Sequence, residues 1–279
     1  MPELPEVETI KRDLQERIIG RQIIDVVVYD RRVIRNGTVV QFKKNLKDKI
    51  FKDVERKGKA IVCSFAGAPG YLVVQPMMTG QLIFCRDRAV FKTTKVAFRL
   101  SNHLTLHYND QRLFGRLQFV RDLREIKFFQ SMGPDPLSDE LSVEHLAARL
   151  KGRQMPIKTL LMDQSFVAGI GNIYACEILF HAGIHPVRKA NSLTLAELSW
   201  LHRMTRKVLN EAVQFRGTSM NTYRDLSGQK GRFLNRVKVY GRKDKKCLRC
   251  QGSIERIVLS GRSTFFCRHC QPINPKNFS

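Results

Sequence analysis

Gly133-Pro134-Asp135-Pro136-Leu137-Ser138 separates two stretches of sequence that obey different periodicities. Two prolines without amide protons and a turn-favouring Asp make it rigid, non-helical punctuation. Upstream, apolar residues fall in short runs rich in β-branched and aromatic side chains, at residues 23–29, 60–65, 71–75, 96–100, 104–107 and 116–120. Asn36-Gly37, Gly67-Ala68-Pro69-Gly70 and Ser101-Asn102 interrupt them as turns, and the pattern predicts an antiparallel sandwich or barrel. Downstream the period lengthens to that of helices. Ser142 caps one running to about Leu150, Pro156 starts the next, and Thr194-Leu195-Ala196-Glu197 is a capping box opening a long helix that ends near Gly217. Gly169-Ile170-Gly171-Asn172-Ile173-Tyr174-Ala175 interrupts and restarts a helix, leaving exposed backbone N–H groups that suit an anion; such a segment standing alone is more often a plain glycine turn.

The β half also carries a helix. After Pro5, apolar residues Val7, Ile10, Leu14 and Ile18 keep helical spacing, and Gly20 stops the run. The expected fold is α+β: an N-terminal antiparallel β-sandwich domain with a flanking helix over residues 1–132, a helical domain over 133–228, and a terminal region over 229–279 whose residues 272–279 form a short disordered tail.

Composition narrows the function. A chain of 279 residues with 43% hydrophobic content describes a globular protein of two ordinary cores, and no apolar run approaches the roughly 18–20 residues of a membrane span. The opening Met1-Pro2-Glu3-Leu4-Pro5-Glu6 is neither a signal nor a transit peptide, so the cytoplasm is the expected compartment. A net charge of +24 creates a field that draws in polyanions, nucleic acid first among them. Residues 229–279 hold 13 Lys or Arg against two acidic residues, Asp244 and Glu255, and concentrate that charge at one end.

Seven cysteines fall into two sets. Cys63, Cys85 and Cys176 stand singly in apolar stretches and read as small buried hydrophobes. Cys247-Leu248-Arg249-Cys250 and Cys267-Arg268-His269-Cys270 are two C-x2-C pairs separated by sixteen residues, the spacing of a four-cysteine zinc ribbon. Four thiolates close a tetrahedral sphere, so one structural Zn²⁺ is expected, with a hairpin joining the pairs. Arg249, Arg256, Arg262 and Arg268 decorate that hairpin, either as phosphate contacts or as a solvated basic face.

The extreme N-terminus carries chemistry. Methionine is normally trimmed before a small residue, which would leave Pro2 a secondary amine; an α-amino group, with a reference pKa of about 7.7–8, is partly an unprotonated nucleophile near neutral pH. Attack on a sugar carbon would give an iminium ion directly. Glu3 beside it and Glu6 one turn along can move protons, although the same residues also read as an acidic helix start facing the macrodipole.

Met1-Pro2-Glu3-Leu4-Pro5-Glu6-Val7-Glu8-Thr9, the Gly169 to Ala175 stretch and the terminal four-cysteine finger, in this order, resemble the formamidopyrimidine-DNA glycosylases. Leu4 and Val7-Glu8 are more similar to this branch than to the sister endonuclease VIII branch, which carries Gly at the fourth position. The resemblance implies a β-sandwich, a helix-two-turns-helix domain and a zinc finger, with double-stranded DNA bound by a monomer in the cleft between them. It implies Pro2 as nucleophile and Schiff-base former, Glu3 as main acid and base, Glu6 as supporting carboxylate and Lys59 as the hairpin lysine on the damaged strand's phosphate. It implies further that Lys158 stands near the lesion, that Asn172 and Arg262 bind phosphate, and that Met78, Arg112 and Phe114 fill the void left by an everted nucleotide; on sequence alone residues such as Met78 and Phe114 are more often core residues. A polar loop from Gly217 to Gly231 would cover the flipped base.

The implied activity is base-excision repair of 8-oxoguanine and formamidopyrimidines by a bifunctional glycosylase and AP lyase, in a bacterial-type cytoplasm on the nucleoid. An endonuclease VIII-like preference for oxidised pyrimidines and a catalytically silent zinc-finger binder of damaged DNA are the alternatives. Departures from the family pattern stand at Gln75 (usually His), Met77 (usually Gly), Gln111 (usually Pro), Leu113 (usually Arg) and Thr93-Thr94-Lys95 (usually His-Asp-His).

Overall fold

The computed structural model describes residues 1–85, 91–101, 103–220 and 222–273; Asn102 of the expected turn and residues 274–279 of the expected tail lie outside them. The chain divides into two compact units, residues 1–131 with 213–234 and residues 132–212 with 235–279.

In the first unit the expected N-terminal helix is α1 (Leu4–Ile18), with Pro5 in its first turn. Leu4, Val7, Ile10, Leu14 and Ile18 are at most 1% exposed and form its apolar stripe. Strands β1 (Ile23–Val28) and β2 (Ile34–Arg35) follow, then α2 (Val39–Leu46), then β3 (Phe51–Lys57), β4 (Ala60–Phe65), β5 (Tyr71–Gln75), β6 (Gly80–Cys85), β7 (Thr94–Leu100), β8 (Thr105–Asp110) and β9 (Arg116–Val120). They form two sheets, ordered β1-β7-β8-β6 and β2-β9-β5-β4-β3. Pairing is antiparallel except where β2 runs parallel to β9. One core cluster takes residues from α1, α2 and both sheets, among them Leu14, Phe42, Val54, Leu72, Phe98 and Tyr108, so the expected sandwich closes around a shared interior that the helix covers. Cys63 lies in that interior, where burial and the nearby Asp53 push its thiol up to about 12. It is inert there, and Cys176 is equally buried, whereas Cys85 is half-buried.

The second unit holds α4 (Val143–Leu150), α5 (Ile157–Met162), α6 (Asn172–Ala182) and most of α7 (Leu195–Gln214), after the short α3 (Lys127–Gln130) that ends the first stretch of unit one. Ser142 Oγ accepts from the His145 N–H at 3.1 Å, and Thr194 and Glu197 exchange backbone–side-chain bonds of 2.9 and 3.2 Å, as the cap signatures require. The hairpin β10 (Ile254–Leu259) and β11 (Arg262–Cys267) turns through Ser260-Gly261. A second core joins Cys176 and Phe180 of α6 to Val239, Ile254 and Phe265. Glu177, fully buried beside them, accepts from the backbone N–H groups of Lys238, Val239 and Tyr240 at 2.8–2.9 Å. Burial raises its pKa, and those three donors oppose the rise.

One ion cluster ties α1 to the β3–β4 hairpin. Glu8 accepts from Lys11 at 2.8 Å, from Arg12 at 2.9 Å and from the buried Arg56 at 2.9 Å. Burial pushes the Glu8 carboxyl up, but hydrogen bonds from Lys11 and Arg56 and the charges of both hold it at about 2, against an ordinary 4.5. A lowered carboxyl contributes stability that is complete above the unfolded value near 4.5 and lost as pH falls toward 2. Glu8→Gln should therefore cost about 1–2 kcal/mol at pH 7, after allowance for solvent screening, and less at pH 3. Urea denaturation of both proteins at the two pH values checks this; an equal deficit at both would reject the assignment.

Candidate active site

Helix α1 begins at the residues expected to react. Pro2, Glu3 and Glu6 are all buried, Glu3 at 4% and Glu6 at 1% exposure. Glu6 turns its carboxylate back toward the helix start: Oε2 accepts from the Glu3 N–H at 2.7 Å, and Oε1 from the Thr218 N–H, also at 2.7 Å. A carboxylate held by two backbone donors is fixed in place and compensated for its burial. Gly217 makes the second bond possible. Its φ is +78°, and a Cβ there would stand 2.6 Å from Glu6 Oε1 and 2.8 Å from Glu6 Cγ.

Lys59 occupies the two-residue tip of the β3–β4 hairpin, where Lys57 pairs with Ala60. Arg56 braces that tip by donating to the Gly58 carbonyl at 3.3 Å while its Nε holds Glu8 on α1. Helix α1 and the Lys59 hairpin are thereby cross-linked by one guanidinium.

The three expected void-filling residues come together at the surface. Met78 is 39% and Phe114 46% exposed, which sets aside the core reading for both. The Arg112 guanidinium lies 4.8 Å from the Phe114 ring centroid, and its Nη1 is 3.7 Å from Met78 Sδ. Asp110, fully buried, organises this cluster from beneath: Oδ1 accepts from the Thr79 hydroxyl and from the Arg112 N–H at 3.2 Å, and Oδ2 from the Gly115 N–H at 2.8 Å. A Cβ on Gly115 would fall 1.6 Å from the Tyr108 hydroxyl, so no other residue fits the end of this loop. Two departures from the family pattern lie in left-handed backbone here, Met77 at φ +54° and Leu113 at φ +59°. Leu113 packs against the sandwich core and anchors the loop by its apolar side chain. Thr94 is buried and donates to Asn109 Oδ1 at 2.8 Å, so that departure is accommodated inside the sheet.

In the second unit, Asn172 opens α6 behind Gly171, and the expected exposure of this helix end is partial: Gly171 is buried, Asn172 and Ile173 half-buried. Asn172 Oδ1 accepts from Lys158 Nζ at 2.5 Å, and its Nδ2 donates to the Ser263 carbonyl at 2.9 Å. Lys158 is 1% exposed, so its ammonium is held in the interior of this unit beside Asn172. Arg262, exposed at the start of β11, neighbours the Ser263 that Asn172 engages. Helix start and finger hairpin thus share one polar contact.

The four Sγ atoms of Cys247, Cys250, Cys267 and Cys270 lie within 4.8 Å of one another, with Cys250 to Cys267 at 3.5 Å and Cys247 to Cys270 at 3.8 Å. Thiolates around one zinc at about 2.3 Å stand about 3.8 Å apart, so the donor set and spacing fit one structural Zn²⁺.

Family models match along the chain: the formamidopyrimidine-DNA glycosylase N-terminal domain at residues 1–117, the formamidopyrimidine-DNA glycosylase H2TH domain at 132–224, and the zinc finger found in FPG and IleRS at 244–273. The formamidopyrimidine-DNA glycosylase of Carboxydothermus hydrogenoformans is 41% identical over 272 residues, covering 97% of this chain and 100% of the relative. The chain belongs to the formamidopyrimidine-DNA glycosylase family. The formamidopyrimidine-DNA glycosylase of Pelotomaculum thermopropionicum is 39% identical over 277 residues, covering 98% and 100%. Among solved structures, the Thermus thermophilus FPG protein aligns with TM-score 0.88 at 38% identity, covering 98% of this chain and 100% of that one. A Lactococcus lactis FPG variant in complex with a Fapy-dG containing DNA aligns with TM-score 0.90 at 32% identity, covering 97% and 100%. The expected α+β architecture and family assignment agree with these matches, and membership makes the chain a base-excision DNA glycosylase with AP-lyase activity. No helix among the described residues is long and apolar enough to cross a membrane.

Reading the sequence did not single out Asp110 as the organiser of the void-filling loop, nor Gly217 and Thr218 as partners of Glu6. Asp110 was visible only as a neighbour of Arg112, and no local pattern links residue 218 to residue 6. Two outcomes follow. Gly217→Ala should destabilise the protein by about 1–3 kcal/mol, from the left-handed backbone and the contact with Glu6, and lower excision more than tenfold; thermal denaturation and single-turnover excision measure both. Chelation of zinc, or Cys250→Ser, should unfold the finger and weaken DNA binding, and undiminished binding in a gel-shift titration after verified metal loss would contradict the role given to the finger.

Proposed function

We propose that the chain removes oxidised purines, 8-oxoguanine and ring-opened formamidopyrimidines, from double-stranded DNA through the amine of Pro2 freed by loss of Met1. The observation that carries this reading is the buried Glu3–Glu6 pair, with the Glu6 carboxylate held by the Glu3 and Thr218 N–H groups at 2.7 Å beside that proline, in a chain of this family.

The Pro2 nitrogen lone pair forms a bond to the sugar C1′ while the C1′–N bond to the damaged base breaks, and the proton that the amine sheds on bonding leaves with the base. Glu3 delivers the proton that opens the ring at O4′, so that the C1′–N bond becomes an iminium ion; Glu6 steadies the amine. Loss of a C2′ proton expels the 3′ phosphate by β-elimination, a second elimination expels the 5′ phosphate, and water releases the sugar remnant from Pro2. Lys59 neutralises the phosphate of the damaged strand, Arg262 and Asn172 hold backbone phosphates, and Lys158 orients Asn172 through its Nζ contact. Met78, Arg112 and Phe114 fill the space of the everted nucleotide; their mutual contact means that the wedge is assembled before DNA arrives. The zinc finger supplies structure and phosphate contacts, and its metal takes no part in the chemistry. The setting of this work is the cytoplasm, on the nucleoid.

Two of the solved relatives are described as bound to Fapy-dG and to abasic-site DNA, and one to an oxidised pyrimidine containing DNA. That last description keeps the oxidised-pyrimidine preference as the second reading. Mass spectrometry of the mature N-terminus should show Pro2 first. Borohydride reduction with an 8-oxoguanine duplex should then trap a covalent adduct, Pro2→Gly should abolish it, and 8-oxoguanine should outcompete thymine glycol in equal duplexes. A chain with free Pro2 that traps nothing is a binder, not an enzyme.

A further inference from the structure

The polar face of α1 does work that its apolar stripe does not. Glu6, Thr9, Asp13 and Arg17 fall at helical spacing along one line, and Glu6 and Asp13, seven residues apart, stand two turns from each other, about 10 Å. Three of these residues, Glu6, Asp13 and Arg17, hydrogen-bond to one stretch, residues 216–227, and Arg17 also lies over the Phe84 ring. Glu6 takes the Thr218 N–H, Asp13 takes the Arg216 Nη2, and Arg17 Nη2 donates to Ser227 Oγ at 2.8 Å.

Arg216 is the centre of this docking. Its Nη2 also meets Asp225 Oδ2 at 2.8 Å, and its Nε reaches the same oxygen at 2.9 Å, so one guanidinium joins a carboxylate of the helix to a carboxylate of the loop. Asp13 and Asp225 are 7% and 3% exposed, and with Arg216 removed both charges would face a poorly hydrated interior unpaired. Asp225 in turn closes the loop on itself, accepting from the Ser227 and Gln229 N–H groups at 3.0 and 2.8 Å. Arg216 and Gly217 are both left-handed, at φ +60° and +78°, and this pair of residues aims the next amide, Thr218 N–H, at Glu6. A non-glycine residue keeps that backbone only where its surroundings hold it there, and the two carboxylates hold Arg216. At its far side the stretch reaches the wedge, where Thr222 Oγ1 donates to the Met78 carbonyl at 3.2 Å and the Phe84 N–H to the Leu226 carbonyl at 3.0 Å.

We propose that Arg216, clamped between Asp13 and Asp225, is a positioning residue for the excision chemistry: it fixes the left-handed turn that delivers the Thr218 N–H to Glu6, and so sets the acid–base geometry from two helical turns away without touching substrate. The inference rests on the catalytic reading of Glu6 given above. Its effect is on the chemical step, not on the grip of the duplex.

The test measures three quantities on the full-length zinc-loaded protein: the active fraction by borohydride trapping, the single-turnover excision rate constant, and the Kd for an uncleavable abasic-analogue duplex. Arg216→Gln should lower the rate constant about ten- to hundredfold with Kd within about twofold, and Arg216→Lys, which keeps the charge, should recover much of the loss. Asp13→Asn, which removes one arm of the clamp and spares the loop, should give a smaller loss of the same kind and serves where Arg216→Gln folds poorly. A purely structural role would lower the trapped fraction and leave the rate constant of the remaining sites at the parental value; that result, or parental rates in both Arg216→Gln and Asp13→Asn, overturns the proposal. If the parent itself traps nothing, the catalytic reading fails first, and the two failures are told apart.

Discussion

A single carboxylate, that of Glu6, joins the first turn of the first helix to a loop more than two hundred residues later, and the geometry of the helix start depends on it. One oxygen stays within the helix start, on the Glu3 N–H, while the other reaches the Thr218 N–H. Burying a carboxylate is costly unless its lone pairs are met, and two backbone donors meet one on each oxygen here. Farther along α1, Arg56 on Glu8 and Arg216 on Asp13 hold the helix to the Lys59 hairpin and to the loop.

The same division of labour recurs at the wedge. Asp110 is buried and spends its oxygens on Thr79 and on two backbone amides, so the exposed Arg112 remains stacked on Phe114 instead of pairing with an acid. Buried acids thus organise loops from within, while many of the chain's 49 basic residues face outward on long side chains. The net charge of +24 counts 49 bases against 25 acids, and burial of several of those acids leaves the outer surface more basic than the count alone suggests.

Local signals were legible in the sequence, and long-range ones were not. The α1 stripe, the caps at Ser142 and Thr194 and the two cysteine pairs each occupy a few consecutive residues, and each formed as its pattern dictated. Strand β3 was hidden because a bulge between Phe51 and Asp53 places its buried residues, Phe51 and Val54, three apart, a spacing that mimics a helix. Helix α2 was hidden for the opposite reason: Val39-Val40 after Asn36-Gly37 looks like a strand leaving a turn, yet Thr38 and Gln41 form a reciprocal capping box that commits the backbone to a helix. The wedge residues and Lys59 were reached by resemblance, and the exposure of Met78 and Phe114 is what separates them from ordinary core positions. The partners of Glu6 and Asp13 had no local signature, since residues 213–234 follow a long helix in sequence but belong to the first compact unit.

The finger is better understood as part of the site that contains Asn172 than as an appendage. The Asn172 amide is polarised from both sides, its oxygen toward the Lys158 ammonium and its nitrogen toward the Ser263 carbonyl, and this arrangement fixes which way the amide faces. Five residues along the same helix, Glu177 gathers three amides of the segment that leads into the first cysteine pair. Helix α6 therefore holds the finger at its entrance and at its hairpin, and the metal that closes the cysteine cluster fixes the hairpin carbonyl on which Asn172 rests. Closure of the cysteine cluster by zinc is thereby connected to the start of α6 through a short chain of contacts, from thiolates to β11 to Asn172.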